Sequence, residues 1–469
     1  MRARDGRFDR SQPLWGPGRG ALRVKPEESG PERSDHSAPC DTAPHPAAAG
    51  LWEQFLAREN LAEALRRVER NAGAAGIDGM STKELRPWLK DHWPRVRSML
   101  DAGTYRPSPV RRVMIPKPSG GLRMLGVPTV VDRLICQALS QVLTLVFDPY
   151  FHPHSFGFRP GRSAHQAVER ARQFIAEGDA GWCVEVDLDS FFDRVNHDAL
   201  MARVARRVKD KQVLRLTRAY LDAGVMDGGV VHAAGEGTPQ GSPLSPLLSN
   251  VMLDDLDWEL EQRGHRFVRY ADDSRIYVGS ERAAQRVLQS IIGYVENRLK
   301  LKVNQGKSTV DWSVRQPLLG FCFYRRRGEV KVRLDPKARK RAKDQIRRLT
   351  SRTWGVSMKR RIIEINRFTV GWTAYFAFAD TPTPFIELDG WLRGRMRQAR
   401  WKEWQRIRTR WSRLQALGMP DREAREWAMT NKGSWRAART FLRRALPDTY
   451  WAEQGLKGFT DPYHRFREG

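Results

Sequence analysis

Tyr270-Ala271-Asp272-Asp273 lies between His265-Arg266-Phe267-Val268-Arg269 and Ser274-Arg275-Ile276-Tyr277-Val278, and its reading decides the fold. Both flanks read as strands, so the tetrapeptide is predicted at a hairpin tip. Adjacent carboxylates repel each other unless a cation lies between them. A hard divalent ion such as Mg2+ takes oxygens from one or two carboxylates plus substrate phosphates. Asp-Asp on an exposed turn is common, so four residues alone leave the bland reading of a solvated turn standing.

A second carboxylate segment lies upstream, Val184-Glu185-Val186-Asp187-Leu188-Asp189-Ser190-Phe191-Phe192-Asp193. Alternation around Asp187 reads as a half-buried strand, running on to a helix start at Asn196-His197-Asp198. Two strands ending in Asp can bring three carboxylates to one sheet edge. That donor set suits two metals roughly 3.5–4 Å apart, the arrangement for in-line phosphoryl transfer.

Composition points to a polyanionic partner. The 469 residues carry a formal net charge of +28 and a pI near 10.5. From Asp335 onward there are 31 Lys+Arg against 14 Asp+Glu, or +17, with nine of the 16 Trp. Basic side chains supply salt-sensitive phosphate affinity, and aromatic rings stack on unpaired bases. Most of these Trp are nevertheless expected in the core of a helical domain. No signal peptide or long apolar run is evident, which argues against a membrane protein. Cys40, Cys136, Cys183 and Cys322 have no paired spacing for zinc or a disulfide framework, which fits a reducing, cytoplasmic compartment.

The order of elements divides the chain. Residues 1–50, with seven Pro and six Gly, are expected to be disordered. Helical runs are predicted over Leu51–Arg70 and Ser81–Ala102, then an α+β region with helices over Arg133–Phe147 and Ala164–Ala176. Pro336 opens a further helix with a basic face, Lys337 to Leu349, for which duplex contact is favoured over simple solvation.

At this point the chain resembles a known family, the reverse transcriptases encoded within group II introns, which double as splicing maturases. Met114-Ile115-Pro116-Lys117-Pro118-Ser119-Gly120-Gly121-Leu122-Arg123 is similar to the family's first fingers motif. His154-Ser155-Phe156-Gly157-Phe158-Arg159-Pro160-Gly161-Arg162-Ser163 and Gly237-Thr238-Pro239-Gln240-Gly241-Ser242-Pro243 also match, in order. So do Leu301-Lys302-Val303-Asn304-Gln305-Gly306-Lys307-Ser308, Gly371-Trp372-Thr373-Ala374-Tyr375-Phe376 and Leu388-Asp389-Gly390-Trp391-Leu392-Arg393-Gly394-Arg395-Met396-Arg397.

The resemblance implies an α+β right-hand polymerase followed by an α-helical thumb/maturase domain. Its parts would be an N-terminal RNA-binding extension (51–104), fingers and palm (105–324) and thumb/maturase (335–469). The implied activity is RNA-directed DNA polymerisation with two Mg2+, Mn2+ being the alternative ion, coupled to splicing and mobility of the intron. Intron RNA, an RNA template with DNA primer, dNTPs and target DNA are the implied partners, met in a bacterial-type cytoplasm or on its nucleoid. Many relatives add a His/Cys endonuclease. With no Cys after Cys322 and only His464 after His265, the resemblance is to endonuclease-lacking members. Two rivals stand beside this reading: a reverse transcriptase domesticated for DNA repair or phage defence, and a splicing factor with a vestigial polymerase site.

Site roles follow from the same resemblance. Asp187, Asp272 and Asp273 are the catalytic carboxylates, with the Leu188 carbonyl as a further metal donor. Asp273 is expected to coordinate less directly, because neighbouring strand side chains point to opposite faces. Asp193 is read as structural or as a helix cap. Phe192 is placed beneath the incoming sugar, where a rigid ring excludes a 2′-hydroxyl. Lys117 and Arg123, flanking a Ser-Gly-Gly turn, suit a triphosphate, and Gln240 is expected at the nucleotide or template. Arg159, Arg162, Lys307, Arg393, Arg397 and Arg400 are the RNA-binding candidates.

Overall fold

A computed structural model describes residues 50–116, 121–178, 180–227, 230–232, 237, 241–431 and 433–468. The expected disordered segment, apart from Gly50, lies outside them. The described residues fall into two compact units that divide between Gln316 and Pro317.

The first unit begins with helices α1 (Leu51–Leu56), α2 (Arg58–Asn71) and α3 (Thr82–Asp101). The helix expected over 51–70 is thus two, broken at Ala57, whose extended backbone (ψ 141°) leaves the helical region. Next come strands β1 (Val110–Pro116) and β2 (Leu122–Val127), paired antiparallel with Ile115 opposite Arg123. Helices α4 (Val130–Phe147) and α5 (Ala164–Ala176), strand β3 (Trp182–Val186) and the short α6 (Phe191–Arg194) follow. Helices α7 (His197–Arg207) and α8 (Lys211–Leu221) precede β4 (Val225–Asp227) and β5 (Val230–His232). The unit ends with α9 (Ser245–Gln262), β6 (Arg266–Tyr270), β7 (Asp273–Val278), α10 (Glu281–Asn297) and β8 (Thr309–Trp312). Asn196, rather than Asp193, caps α7, its side-chain oxygen accepting the Ala199 N–H at 2.9 Å.

Two four-stranded sheets result. One has the order β2-β1-β4-β5, with β1 and β4 parallel; the other, β6-β7-β3-β8, is antiparallel throughout. A single core joins α1–α3 to the helices around the second sheet. At its centre lies α4, whose Val130, Leu134, Ile135, Ala138, Leu139 and Leu143 are buried. Contrary to the expectation of no long apolar run, Val130–Tyr150 is long and apolar enough to cross a membrane by length and composition. Its burial inside this unit accounts for that composition as a core helix.

The second unit opens with the antiparallel hairpin β9 (Phe321–Arg326) and β10 (Glu329–Leu334). Helices α11 (Pro336–Leu349), α12 (Met358–Phe376), α13 (Thr383–Glu403), α14 (Ile407–Ala416) and α15 (Asp421–Ala428) follow. The unit closes with α16 (Ser434–Arg439), α17 (Phe441–Ala445), α18 (Asp448–Glu453) and α19 (Thr460–Glu468). Aromatic contacts build its core: Phe321 on Tyr375 and Phe376, Phe385 on Tyr463, and Trp401 on Phe441. Of its nine Trp, Trp401, Trp404 and Trp451 are buried, Trp435 is exposed and the other five are partly buried, so fewer lie wholly in the core than expected. In α11 the buried Ala338, Ala342 and Ile346 form one stripe, and Lys337, Lys340, Arg341 and Arg348 form the exposed face.

Candidate active site

The antiparallel sheet does for the three carboxylates what the sequence pattern predicted. Strand β3 ends at Val186, paired with Ser274 on β7, so one further step sets Asp187 across from Asp273. Asp272 occupies the turn that joins β6 to β7. Glu185 pairs directly with Arg275, which places Glu185, Asp187, Arg275 and Asp273 on one face by the period of two. The reason expected for less direct coordination by Asp273 is therefore corrected: Asp272 lies in the turn, outside strand alternation, and Asp273 shares the Asp187 face.

The electrostatics of Asp187 and Asp273 follow from this placement. Burial raises the Asp187 carboxyl above the ordinary carboxylate range; Lys307 opposes that shift, and Asp272 and Glu185 add to it. Burial pushes Asp273 up to about 6, with Glu185, Asp272 and Asp187 adding to the rise and Arg275 opposing it. Raised carboxyl groups that repel one another make a site short of positive charge. Asp273 already has a cation, since its carboxylate accepts from Arg275, which also donates to Glu185 at 2.9 Å. That pairing leaves Asp187 and Asp272 as the carboxylates best placed to hold a metal.

The Leu188 carbonyl is also available. Leu188 bridges to Val303, but the flanking bonds run from the Asn304 N–H to the Asp187 carbonyl and from the Asp189 N–H to the Lys302 carbonyl, each 2.8 Å. The carbonyl of Leu188 itself takes no part in that bridge. Asp189, whose strand parity matches that of Asp187, is drawn off by Arg194 at 3.2 Å. Lys307 lies 3.8 Å from Asp187, its side chain 66% exposed, so this RNA-binding candidate is placed at the carboxylates themselves.

Phe191 and Phe192 differ in exposure. Phe191 is buried, and Phe192 packs edge-on against it at 5.2 Å while staying half-exposed. Gly237 closes on this turn: a Cβ there would stand 2.9 Å from the Asp193 carbonyl oxygen and 3.0 Å from that of Phe192. Gly241 approaches β2 in the same way, 2.5 Å from the Gly126 carbonyl. Gly237 is thus set against the Phe192 turn and Gly241 against β2. Gln240 and Lys117 lie outside the described residues, and Arg123 is placed only through its backbone on β2.

Several RNA-binding candidates are corrected. Arg159 is 5% exposed, and its guanidinium is consumed by its own loop: Asp148 Oδ1 at 2.7 Å and the carbonyls of Asp148, Phe151, His152 and Ser155. Arg397, 7% exposed, donates to the Leu446 carbonyl and Asp448, and Arg393 pairs with the same Asp448 at 2.9 Å. Arg400 is half-buried against Glu403 at 2.9 Å. Arg162 remains exposed, over the Phe156 ring. A basic side chain near polar backbone serves the fold as readily as a phosphate, and composition does not distinguish the two.

His152, His154 and Glu261 form a second group of potential ligands, with donor atoms within 4.8 Å of one another. Three of their four ring nitrogens are already engaged, and the fourth, His154 Nδ1, is buried without a hydrogen-bond partner among the described residues. His152 Nδ1 accepts the His154 N–H at 3.0 Å, so its Nε2 carries the proton and donates to Glu261 at 3.3 Å. His154 Nε2 accepts from Arg170 at 3.1 Å, and burial holds this ring down at about 3. A metal would have to displace these bonds, so the group reads as packing.

Sequence reasoning missed Arg275, Glu185 and Arg269. The first two lie two residues from Asp273 and Asp187, and the strand period was the signal that could have found them.

Residues 115–323 match the reverse transcriptase (RNA-dependent DNA polymerase) family, and residues 339–418 match the group II intron maturase-specific domain. Protein YkfC of Escherichia coli K12 is 34% identical over an alignment of 291 residues that covers 54% of this chain and 76% of YkfC. The group II intron-encoded protein LtrA of Lactococcus lactis is 33% identical over 268 residues, 55% of this chain but 42% of LtrA. The chain therefore spans less than half the length of LtrA. Among solved structures, telomerase from Candida albicans aligns with 71% of this chain and 66% of its own at a TM-score of 0.39 and 12% identity. A partial Cas6-RT-Cas1–Cas2 complex covers 52% of this chain and 42% of its own at a TM-score of 0.33 and 24% identity. Both likenesses are too loose to bear on function. A polymerase region with its carboxylates gathered at a hairpin, followed by a maturase-specific region, assigns this chain to the group II intron-encoded reverse transcriptase/maturase family.

Proposed function

We propose that the protein copies RNA into DNA from a primer, and that it binds an intron RNA whose splicing and mobility it assists. The observation that carries the first half is the gathering of Asp187 and Asp272 at one sheet edge, with Asp273 across from Asp187 and paired with Arg275. Carboxylates and a backbone carbonyl are hard oxygen donors, which fit Mg2+, two ions being the number we propose and Mn2+ the substitute. Bound there, the metal would supply activation of the primer 3′-hydroxyl and stabilisation of the departing pyrophosphate. The chain's own residues do the rest. Phe192 presents its half-exposed ring to the sugar of a dNTP. Lys307, 3.8 Å from Asp187 and largely exposed, is free to yield that carboxylate to a cation and to meet a phosphate.

The second half rests on the maturase-specific region and on the exposed basic face of α11. Intron RNA, target DNA and a cytoplasmic or nucleoid setting are proposals from that region and from the charge of +28. A vestigial polymerase site is not favoured, since the carboxylates would then have no reason to share a partly buried edge.

Primer extension on an RNA template with Mg2+ and dNTPs tests this reading. Asp272→Ala and Asp187→Ala should each abolish extension while RNA affinity stays within a few-fold of wild type. Normal extension by either variant refutes the assignment of that residue. A splicing assay at low Mg2+, with and without protein, tests the maturase half.

A further inference from the structure

The group behind the catalytic hairpin that the reaction does not obviously need is Arg269, the residue before Tyr270. It is fully buried, as is its partner Asp257. Its Nε–H donates to both oxygens of Asp257 at 2.8 and 2.9 Å, and Nη2 donates to Asp257 at 2.6 Å and to Ser155 Oγ at 2.7 Å. Its Nη1 donates to Asn250 Oδ1 at 2.9 Å and to the Ala271 carbonyl at 2.8 Å.

Three segments meet on this one guanidinium. The first is the Ser155–Gly157 stretch, which pairs with the hairpin through bonds from the Arg269 N–H to the His154 carbonyl (3.0 Å) and from the Phe156 N–H to the Arg269 carbonyl (2.9 Å). The second is α9, which supplies Asn250 and Asp257; Asn250 donates in turn to the Gly157 carbonyl at 2.9 Å. The third is the hairpin tip itself. There Ala271 adopts a left-handed φ of 59°, which an L-residue holds only when its surroundings enforce it. The peptide that Arg269 grips joins Ala271 to Asp272, so the grip sets the direction in which the Asp272 carboxylate leaves the tip.

A buried ion pair is a poor way to gain stability, because the desolvation of two charges offsets their attraction, and apolar residues of like volume often do as well. What an apolar pair cannot do is hold a carbonyl. We infer that Arg269 is a positioning residue: through the Ala271 carbonyl it fixes Asp272 relative to Asp187, with Asp257, Asn250 and Ser155 holding the guanidinium in its orientation. The inference rests on the reading of Asp187 and Asp272 as the metal-holding carboxylates.

The test is the paired replacement Arg269→Met with Asp257→Leu in the full-length protein, which removes both charges and keeps the volume. Four readouts separate positioning from a structural role: thermal unfolding, affinity for a primer–template duplex, single-nucleotide incorporation with kcat and KM resolved, and Mn2+ binding followed by electron paramagnetic resonance. The positioning role gives a folded protein with duplex affinity and dNTP KM within threefold of wild type. Its kcat falls about 100-fold, the loss that a displacement near 1 Å produces, and both half-saturating Mg2+ and the Mn2+ dissociation constant rise several-fold. A paired variant with wild-type kcat and wild-type metal binding overturns the inference. Should the paired variant unfold, Arg269→Lys decides, because it keeps the charge opposite Asp257 but lacks the fork that reaches Ala271. A tenfold or greater loss of kcat at unchanged duplex affinity supports positioning, and wild-type kcat refutes it. If instead the wild-type protein does not extend primers, or Asp272→Ala extends them normally, the failure belongs to the proposed function.

Discussion

Gly157→Ala is predicted to cripple polymerisation without touching any group that takes part in it. A Cβ on Gly157 would stand 3.0 Å from both Ala271 Cα and the Tyr270 carbonyl carbon, and closer still to the Ala271 nitrogen. Carbon atoms rest at about 3.5–4.0 Å, so two of these contacts each call for roughly half an ångström of retreat and the third for more, about 1 Å in all. All three atoms are backbone, so no rotamer change relieves the clash. The retreating element is the tip that carries Asp272. Misplacing a reacting group by 1 Å costs about 10²-fold in rate, or about 2.7 kcal/mol of barrier. Overpacking costs about 1–3 kcal/mol of stability as well. The assay is single-nucleotide incorporation on a primer–RNA duplex, with thermal unfolding measured alongside. Gly293→Ala, inside α10 with its nearest neighbour 3.9 Å away, is the control and should keep full kcat. A folded Gly157→Ala protein with kcat within threefold of wild type would show that the hairpin tip tolerates the shift, and the argument from close approach would fail.

Three further outcomes are expected. Phe192→Val should let ribonucleotides compete in single-nucleotide incorporation, if the half-exposed ring faces the sugar as proposed; undiminished rNTP rejection would move the gate to another residue. Asp254 is raised to about 7, first by burial and then by the charge of Asp257, while the unfolded value stays near 3.8. The fold thus binds the proton more tightly than the unfolded chain, so stability present at low pH is lost as pH climbs from about 4 through 7. Roughly three pH units at 1.36 kcal/mol each amount to about 4 kcal/mol. Asp254→Asn keeps an acceptor for the His152 N–H and should unfold at a higher temperature than wild type at pH 8, with the gap narrowing by pH 5; equal gaps at both pH values would refute it. Finally, charge reversal at the exposed Lys340 and Arg341 should weaken binding to structured RNA and flatten its log–log salt slope by about 0.7–0.9 per lost phosphate contact. Arg397→Ala should lower the unfolding temperature and leave that slope unchanged, since its guanidinium serves the Leu446 carbonyl and Asp448.

Local pattern was a sound guide where one face of an element meets water and the other meets the core. The helix expected over Ala164–Ala176 forms over those residues, capped by Ser163 and Gln166, and the strands flanking Ala271-Asp272 run to Tyr270 and from Asp273. Hydrophobic period and cap chemistry are local properties, so they survive in the sequence. The break at Ala57 was not visible, because alanine suits a helix and nothing nearby marks an interruption.

The sequence by itself therefore determined the family, most of the element types, the carboxylates that gather at the hairpin and the expectation of a polyanionic partner, all of which follow from residue identity, spacing and net charge. Tertiary structure alone decided which charges are spent inside the fold. Arg159 and Arg397 were RNA-binding candidates, yet the guanidinium of Arg159 is taken up by its own loop and that of Arg397 by the Leu446 carbonyl and Asp448, whereas Lys307 stands at the carboxylates; Arg269, given no role from the sequence, is buried on Asp257. The physical reason is that an arginine's five donors are satisfied as well by backbone carbonyls as by phosphate oxygens. Which acceptors it meets depends on chain segments as far apart as Ser155 and Arg269, and only folding brings those together.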